Sequence, residues 1–369
     1  MRRLMLTQLV SGMKVGQNVY GKDGQVWLAR GAILTRRYIE HLFNLGIPSI
    51  YIDDGLMGDR EIRGVVREET RQQAVQQVKS ILLDSSTCKT GVIKPSPGIY
   101  RTVERIVGEI MQKPGVMFNL MDIRMEDEYL FYHSANVCIL SVLAGVNLGF
   151  DATQLMELGM GALLHDVGKM RVPQEILNKP GSLTEQEFNE VKKHTLYGEE
   201  MLENLFPARI IARSHHERLN GEGYPDRLEG FKIPVIAQIT GMADVYDAMT
   251  ADRIYRKAYQ PHEAFEMLSA TGDFWFEHAV VKAFLNNIAA FPVGCIVRLT
   301  SGEVAVVLEN IPGFSLYPQI RPIIGKNGEI LTETTDFWCY EAGLGIAQIL
   351  KNEEVTALGL ALIEPAQPF

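Results

Sequence analysis

Five of the chain's eight histidines fall between residues 133 and 216, about one helix–loop–helix step apart. His133, His165, His194 and the doublet His215–His216 are separated by 32, 29 and 21 residues. Asp166 follows His165 directly, and Asp244, in the run ADVYDAMT, lies 28 residues beyond the doublet. A helical bundle lets such a series deliver one ligand cluster per helix into a shared interior. Imidazole and carboxylate suit first-row transition ions, and an aspartate can bridge two of them. Two divalent ions ~3.5–4 Å apart hold a phosphoryl oxygen and generate a hydroxide from water. Without ions, five imidazoles and two carboxylates would be costly to bury. A single buried histidine is more often a hydrogen-bonded core residue, so the metal reading rests on the set. His41, His262 and His278 lie outside the pattern and read as surface or core residues.

The surrounding sequence divides into four parts. Residues 1–58 read as a small N-terminal α/β module. Val15–Val19 and Val26–Leu28 flank the turn sequence GKDGQ (21–25), Thr35 caps a helix over Arg36–Leu45 that stops at Gly46, and SIYI (49–52) reads as a strand. The module carries no pattern with chemistry, so a regulatory and a packing role both stay open. Residues 59–119 read as a helical connector, with Ile62, Val65, Val66, Ala74, Val75, Val78, Ile81 and Leu82 at helical spacing, then a helix over Arg101–Gln112. Such apolar stripes can also pair with a second subunit, which makes a homodimer an expectation. Residues 120–291 are predominantly helical, broken at Gly149, Gly168, Pro173, Pro180–Gly181, Pro207, Gly221, Gly223 and Pro225. Residues 292–369 form a small β-rich C-terminal extension. Here CIVRL (295–299) and VAVVLE (304–309) flank a TSGE turn, and QIRPII (319–324) and EILTE (329–333) flank KNG. The fold class expected is mainly α.

Charge and composition narrow the function. With 36 Lys+Arg against 45 Asp+Glu, the net charge of −9 argues against a nucleic-acid polymer as partner. An acidic chain acting on an anionic substrate needs a concentrated source of positive charge, and metal ions are one. The apolar stretch Val137–Phe150 falls short of the ~20 residues that cross a bilayer. The basic start MRRLMLTQLV lacks the apolar run of a signal peptide. Cys88, Cys138, Cys295 and Cys339 form no CxxC pair, so neither a disulfide framework nor a thiolate zinc site is expected. A cytoplasmic protein without a membrane partner follows as an expectation.

The run GALLHDVGKM (161–170) resembles the HD phosphohydrolase motif, and HHERLNGEGYP (215–225) is similar to the signature of the HD-GYP family of cyclic dinucleotide phosphodiesterases. DEYLFYHS (127–134), VPQEILNKPGSLTEQEF (172–188), KKHTLYGEEML (192–202) and ADVYDAMTADRIYRKAY (243–259) support the match, which covers roughly 120–310. HD alone is a weak motif; the ordered set of blocks is specific. The resemblance implies an all-helical HD-type bundle carrying a dinuclear metal site.

It also implies roles for particular residues. The metal ligands would be His133, His165, Asp166, His194, His215, His216 and Asp244. Asp166 would bridge, with His133, His165 and Asp244 on one ion and His194, His215 and His216 on the other. Iron or manganese is the expected metal. Some members add a glutamate one helical turn before the first histidine and hold a third ion; Tyr129 stands there, with Glu128 and Asp127 off that face, so two ions are expected. Lys169, one turn after His165, would bring its ammonium to the phosphate and act with Asp166 in catalysis; its alternative is a solvent-facing lysine at a helix end. Arg218, Tyr224, Arg253 and Arg256 are candidate substrate contacts, the arginines alternatively pairing with surface acids. Asp247 would orient a ligand or Lys169, or serve only as a salt-bridge acid. The Gly221–Pro225 loop would shape the pocket rim and dock a diguanylate cyclase (GGDEF) domain, or merely position the histidine helix.

The implied activity is hydrolysis of cyclic di-GMP to pGpG, with a second cut giving GMP, in bacterial second-messenger signalling. Two alternatives stand beside it. One is a catalytically weak cyclic dinucleotide sensor or scaffold; the other is a phosphodiesterase for cyclic GMP-AMP. Asn220, Ile254 and Glu277–His278 depart from common family residues without removing a ligand.

Overall fold

The computed structural model describes residues 1–21, 25–47, 49–58, 60, 62, 64–83, 91–113, 115–119, 129–251 and 258–358. Strand β1 (Arg2–Met5), β2 (Lys14–Val15), the ribbon β3 (Val19–Tyr20) with β4 (Val26–Leu28), helix α1 (Arg36–Asn44) and β5 (Ser49–Asp53) make up the N-terminal module. The hairpin signal around GKDGQ is realised by β3 and β4, whereas Val15 belongs to a different sheet, ordered β1-β5-β2. Thr35 starts α1 as expected, its hydroxyl accepting from the Tyr38 amide at 3.3 Å.

The helical part opens with α2 (Glu68–Leu83) and α3 (Pro97–Met111), then α4 (Tyr129–Asn147) and α5 (Ala152–Leu164). A 3₁₀ turn over Val167–Arg171 leads to α6 (Gln174–Leu177), α7 (Glu185–Lys192), α8 (His194–Met201) and α9 (Ala208–Ser214). Helices α10 (Val235–Thr250), α11 (Pro261–Ser269) and α12 (His278–Leu285) complete it. Helix α4 is apolar all round because it is surrounded. Its stretch Leu130–Asn147 is long and apolar enough to cross a bilayer, yet 78% of it is buried inside the fold. Glycines let the bundle close tightly. A Cβ on Gly159 would sit 2.9 Å from Val103 of α3 and 3.1 Å from Val142 of α4, and one on Gly161 would sit 2.4 Å from Ile211 of α9.

The C-terminal strands β6 (Ile296–Leu299), β7 (Val304–Glu309), β8 (Gln319–Ile324), β9 (Phe337–Trp338) and β10 (Ile346–Ile349) form one antiparallel sheet in the order β10-β6-β7-β8-β9, followed by α13 (Asn352–Ala357). The expected hairpin is β6–β7. EILTE does not form a strand; only Ile330 bridges, to Ile324, and β9 takes the sheet edge instead.

The chain forms two compact units, Met1–Arg63 with Asn119–Tyr129 and Ala289–Phe369, and Gly64–Phe118 with Leu130–Ile288. The end segments 1–58 and 292–369, read as separate modules, therefore belong to one unit, and most of the connector belongs to the helical one. Strand β5 explains the merger. Successive side chains of a strand point to opposite faces. Ile50 and Ile52 enter a cluster with Val15, Leu34 and Leu42, while Tyr51 enters a second cluster with Met57, Val304, Val306 and Ile323. A strand buried on both faces needs both ends of the chain. Asp336 adds an ion-pair tie, receiving Arg60 at 3.0 Å and Arg321 at 2.7 Å.

Two glycine substitutions test the packing from opposite sides. A Cβ on Gly168 would lie 1.9 Å from the His194 carbonyl oxygen and 2.5 Å from the Gly198 nitrogen, backbone atoms that cannot swing away. Gly168→Ala should therefore destabilise by about 2 kcal/mol or more. Gly108, inside α3, has nothing within 4 Å of its would-be Cβ. Gly108→Ala should gain roughly 0.5–1 kcal/mol from helix propensity. Thermal unfolding of both variants should show shifts of opposite sign.

Candidate metal centre

Three histidines arrive at the ends of helices, and the helix ends orient them. His165 caps α5, His215 caps α9, and His194 follows the last turn of α7 at the start of α8. The last carbonyls of a helix lack intrahelical donors. His165 Nδ1 lies 2.8 Å from the Ala162 oxygen and His194 Nδ1 2.7 Å from that of Val191. His215 Nδ1 lies 3.0 Å from the oxygens of both Ile211 and Ala212. A carbonyl can only accept, so each Nδ1 carries the proton and each Nε2 presents its lone pair. His133, near the start of α4, has its Nδ1 2.7 Å from Asp247 Oδ2, while Asn136 donates to Asp247 Oδ1 at 3.0 Å.

The ligand atoms converge. His133 Nε2 lies 3.1 Å from Asp244 Oδ1 and 3.7 Å from Asp166 Oδ2, and His165 Nε2 lies 3.4 Å from Asp166 Oδ2. On the other carboxylate oxygen, Asp166 Oδ1 is 3.5 Å from His194 Nε2 and 3.9 Å from His215 Nε2. His216 Nδ1 stands 3.8 Å from Asp244 Oδ2. The seven residues form two groups, Asp166 with His194, His215 and His216, and His133 with His165 and Asp244, each with its donor atoms within 4.8 Å of one another. His165 Nε2 and Asp166 Oδ1 are buried and make no hydrogen bond. Desolvated lone pairs facing one another repel unless a cation sits among them, so nitrogen and oxygen donors here fit metal ions.

Electrostatics agree. Burial opposes ionisation of Asp166, but the Lys169 ammonium and the His165 and His194 imidazoles outweigh it and hold the carboxyl well below the usual range. Asp244 is likewise held low against burial by His133 and His216. Burial pushes His194 down to about 4 despite Asp166, and burial with the neighbouring imidazoles takes His215 to about 3. Neutral imidazoles and ionised carboxylates are the protonation states that ligate.

The other expected residues are placed as follows. Lys169 Nζ donates to Asp166 Oδ2 at 2.5 Å, at the edge of the centre. Tyr224 lays its ring on His216, with centroids 4.6 Å apart and planes at 25°. Arg218 stands over the Phe276 ring at 4.8 Å and donates to the carbonyls of Glu217 at 2.8 Å and His215 at 3.2 Å, which gives it a positioning role at the doublet. Asp247 supports His133. Arg253, Arg256, Asp127 and Glu128 lie outside the described residues, as does the side chain of Tyr129. Sequence reasoning passed over Asn136, one turn after His133, and Glu217, although the latter stands within the quoted HHE run. Buried Glu217 accepts from the amides of Asp226 at 2.7 Å and Leu228 at 2.9 Å, so it pins the far side of the Gly221–Pro225 loop. Arg213 pins the same point, meeting both Asp226 oxygens at 2.7 Å.

Asp247→Asn tests the orientation of His133. The amide cannot offer two acceptor oxygens to His133 and Asn136 at once. Metal affinity should fall about 10–100-fold, read by chelator competition, with the fold retained by circular dichroism.

A family model described as HD domain matches residues 121–280. The cyclic di-GMP phosphodiesterase PA4108 of Pseudomonas aeruginosa is 30% identical over 361 residues, spanning 89% of this chain and 87% of that protein. The 3′3′-cGAMP-specific phosphodiesterase 2 of Vibrio cholerae is 41% identical over 129 residues, 34% of this chain and 25% of that protein. Among solved structures, Bd1817, an HDG"Y"P protein from Bdellovibrio bacteriovorus, matches with 16% identity and a TM-score of 0.47, covering 77% of this chain and 97% of that one. With its histidines and aspartates gathered in a helical bundle, and similarity to PA4108 along nearly its whole length, the chain belongs to the HD-GYP family of HD-domain phosphodiesterases.

Proposed function

We propose that the protein hydrolyses cyclic di-GMP to pGpG, with a second cut to GMP, using two divalent ions, iron or manganese. The observation that carries this reading is the pair of ligand groups meeting at Asp166. His133, His165 and Asp244 would hold one ion and His194, His215 and His216 the other, with Asp166 between them. Bound there, such ions supply Lewis acidity toward phosphoryl oxygens and lower the pKa of water. The chain's own groups do the rest. The carbonyl-anchored Nδ1 protons fix four lone pairs without side-chain rearrangement, counting Asp247 as the anchor of His133. Asp166 stays ionised, and Lys169 Nζ beside it adds a cation that favours the dianionic substrate. Tyr224, neutral because burial and Asp244 raise its phenol, forms a rigid wall next to His216.

PA4108, named for cyclic di-GMP, supports this substrate; the Vibrio relative named for 3′3′-cGAMP supports cyclic GMP-AMP as the second reading. The reading includes a cytoplasmic location, a homodimer, and docking of a diguanylate cyclase domain on the Gly221–Pro225 loop.

Anaerobically purified, metal-loaded protein should convert cyclic di-GMP to pGpG faster than it opens cyclic GMP-AMP, with products separated by chromatography. Chelation should abolish turnover, and iron or manganese should restore it. His165→Ala should lose about 10²-fold or more in kcat. Intact cyclic di-GMP after incubation with the metal-loaded protein would overturn the assignment.

A further inference from the structure

The first amides of a helix have no intrahelical acceptor, and helix ends fray unless side chains hold them. His133 sits just past the first turn of α4, and that turn carries no acidic residue to offset the helix dipole. A metal ligand at such a place needs the backbone beneath it held from outside the helix. Asp247 and Asn136 hold the face of α4 that looks toward α10. The neighbouring face is held by α2. Gln72 shares the buried side of α2 with Ala74, Val75 and Val78, where an apolar residue would be the ordinary choice. Its amide nitrogen donates to Glu68 Oε1 at 2.8 Å and to the Tyr132 hydroxyl at 3.1 Å, and that hydroxyl lies 3.3 Å from Gln72 Oε1. Both Gln72 and Tyr132 are buried, so these hydrogen bonds are made away from water. Arg71, paired with Glu68 at 2.9 Å, sets its guanidinium 5.9 Å from the Tyr132 ring centroid, and Lys79 sets its ammonium 5.8 Å from that of Phe131. Helix α2 thus grips Phe131 and Tyr132, the residues that lead into His133.

We propose that Gln72 and Tyr132 are positioning residues for His133, acting through the rotation of α4 about its axis. Neighbouring side chains leave a helix about 100° apart. Tyr132 points to α2 while His133 points to the centre, and a turn of the helix moves both. The tyrosine hydroxyl stands far from the axis on a rigid ring, so a hydrogen bond there resists the turn with a long lever. Distances from ligand to metal hold within about 0.2 Å, so a small rotation is enough to take His133 Nε2 off an ion shared with Asp244. A buried leucine at position 72 would fill the space but fix no angle, because apolar contact is non-directional. Direction, not packing, explains the glutamine. The connector helix, which carries no motif, thereby sets part of the metal site's geometry. The inference rests on the reading above that His133, His165 and Asp244 hold an ion.

The test observes the His133 ring itself, by NMR of metal-free protein isotopically labelled at its histidine nitrogens. The His133 Nδ1 proton, shared with Asp247, is assigned by its loss in His133→Gln. The carbonyl-anchored Nδ1 protons of His165, His194 and His215 serve as references. Tyr132→Phe keeps the ring, and Gln72→Met keeps the length and the burial. Each should speed exchange of the His133 proton with water about fivefold, the worth of one net hydrogen bond, and leave the references unchanged. The double variant should match either single one, because both remove the same bond. Titration with manganese ions alone should show one of two bound ions held about fivefold more weakly in the same variants. An unchanged His133 proton, a change in all four histidines together, or full additivity in the double variant overturns the proposal, as does undiminished manganese affinity. Failure of the unsubstituted protein to bind manganese sinks the metal reading instead, and the His133 proton still decides whether Gln72 and Tyr132 set the ring.

Discussion

The helical unit is organised around a buried carboxylate, Asp166, that is 3% exposed and ringed by imidazoles. A carboxylate in that position costs several kcal/mol unless positive charge reaches it. Lys169 supplies one charge from the rim, and the neighbouring imidazoles add to its effect on the carboxyl. The remaining compensation has to come from cations held among the same lone pairs. This explains why no ligand is spare and why the surrounding helices end where they do. Helices α5, α7 and α9 all stop at the centre, and their terminal carbonyls anchor the histidines by three- or four-residue reach-back.

His216 is the exception that ties the Gly221–Pro225 loop to the metal site. Its Nδ1 faces Asp244 Oδ2 and not a carbonyl, so its ring is set by the face of Tyr224. Tyr224 is set in turn by the loop. Glu217 and Arg213 pin the loop at Asp226, and a Cβ on Gly223 would come within 2.4 Å of Glu217 Cα. One short segment thus stacks on His216 and lines the groove beside α7.

Much of this was legible because spacing along helices is a local property. The bundle, the cap of α1, the β6–β7 hairpin and the residues that could ligate followed from periodicity and motif order. What escaped depended on contacts across the chain. Asp247 was expected to orient a ligand, but no spacing rule says that the ligand is His133, 114 positions away. The merger of the two end segments turns on Tyr51, whose side chain faces away from Ile50 and Ile52 toward the C-terminal sheet. EILTE has the alternation of a strand, but Gly325 and Glu329 turn the chain back on itself and leave room for one bridge only. Phe188 and Lys192 sit in a block quoted for its family resemblance, yet their shared groove exists only once α7 is set against the loop.

The net charge of −9 is best understood through the same centre. Asp166 and Asp244 count toward it, yet they contribute to an interior field and not to the outer surface. With divalent ions among them, the local charge reverses sign, and the pocket attracts the phosphates that the protein as a whole repels. Metal binding to the native state alone also stabilises it, by an amount that grows with the logarithm of free metal over Kd. His165 Nε2 and Asp166 Oδ1, buried without a hydrogen bond, are atoms that a bound cation would satisfy. Selectivity for a compact dianion and stability of the bundle are therefore set by one equilibrium, the occupancy of a site whose protein half is already in place.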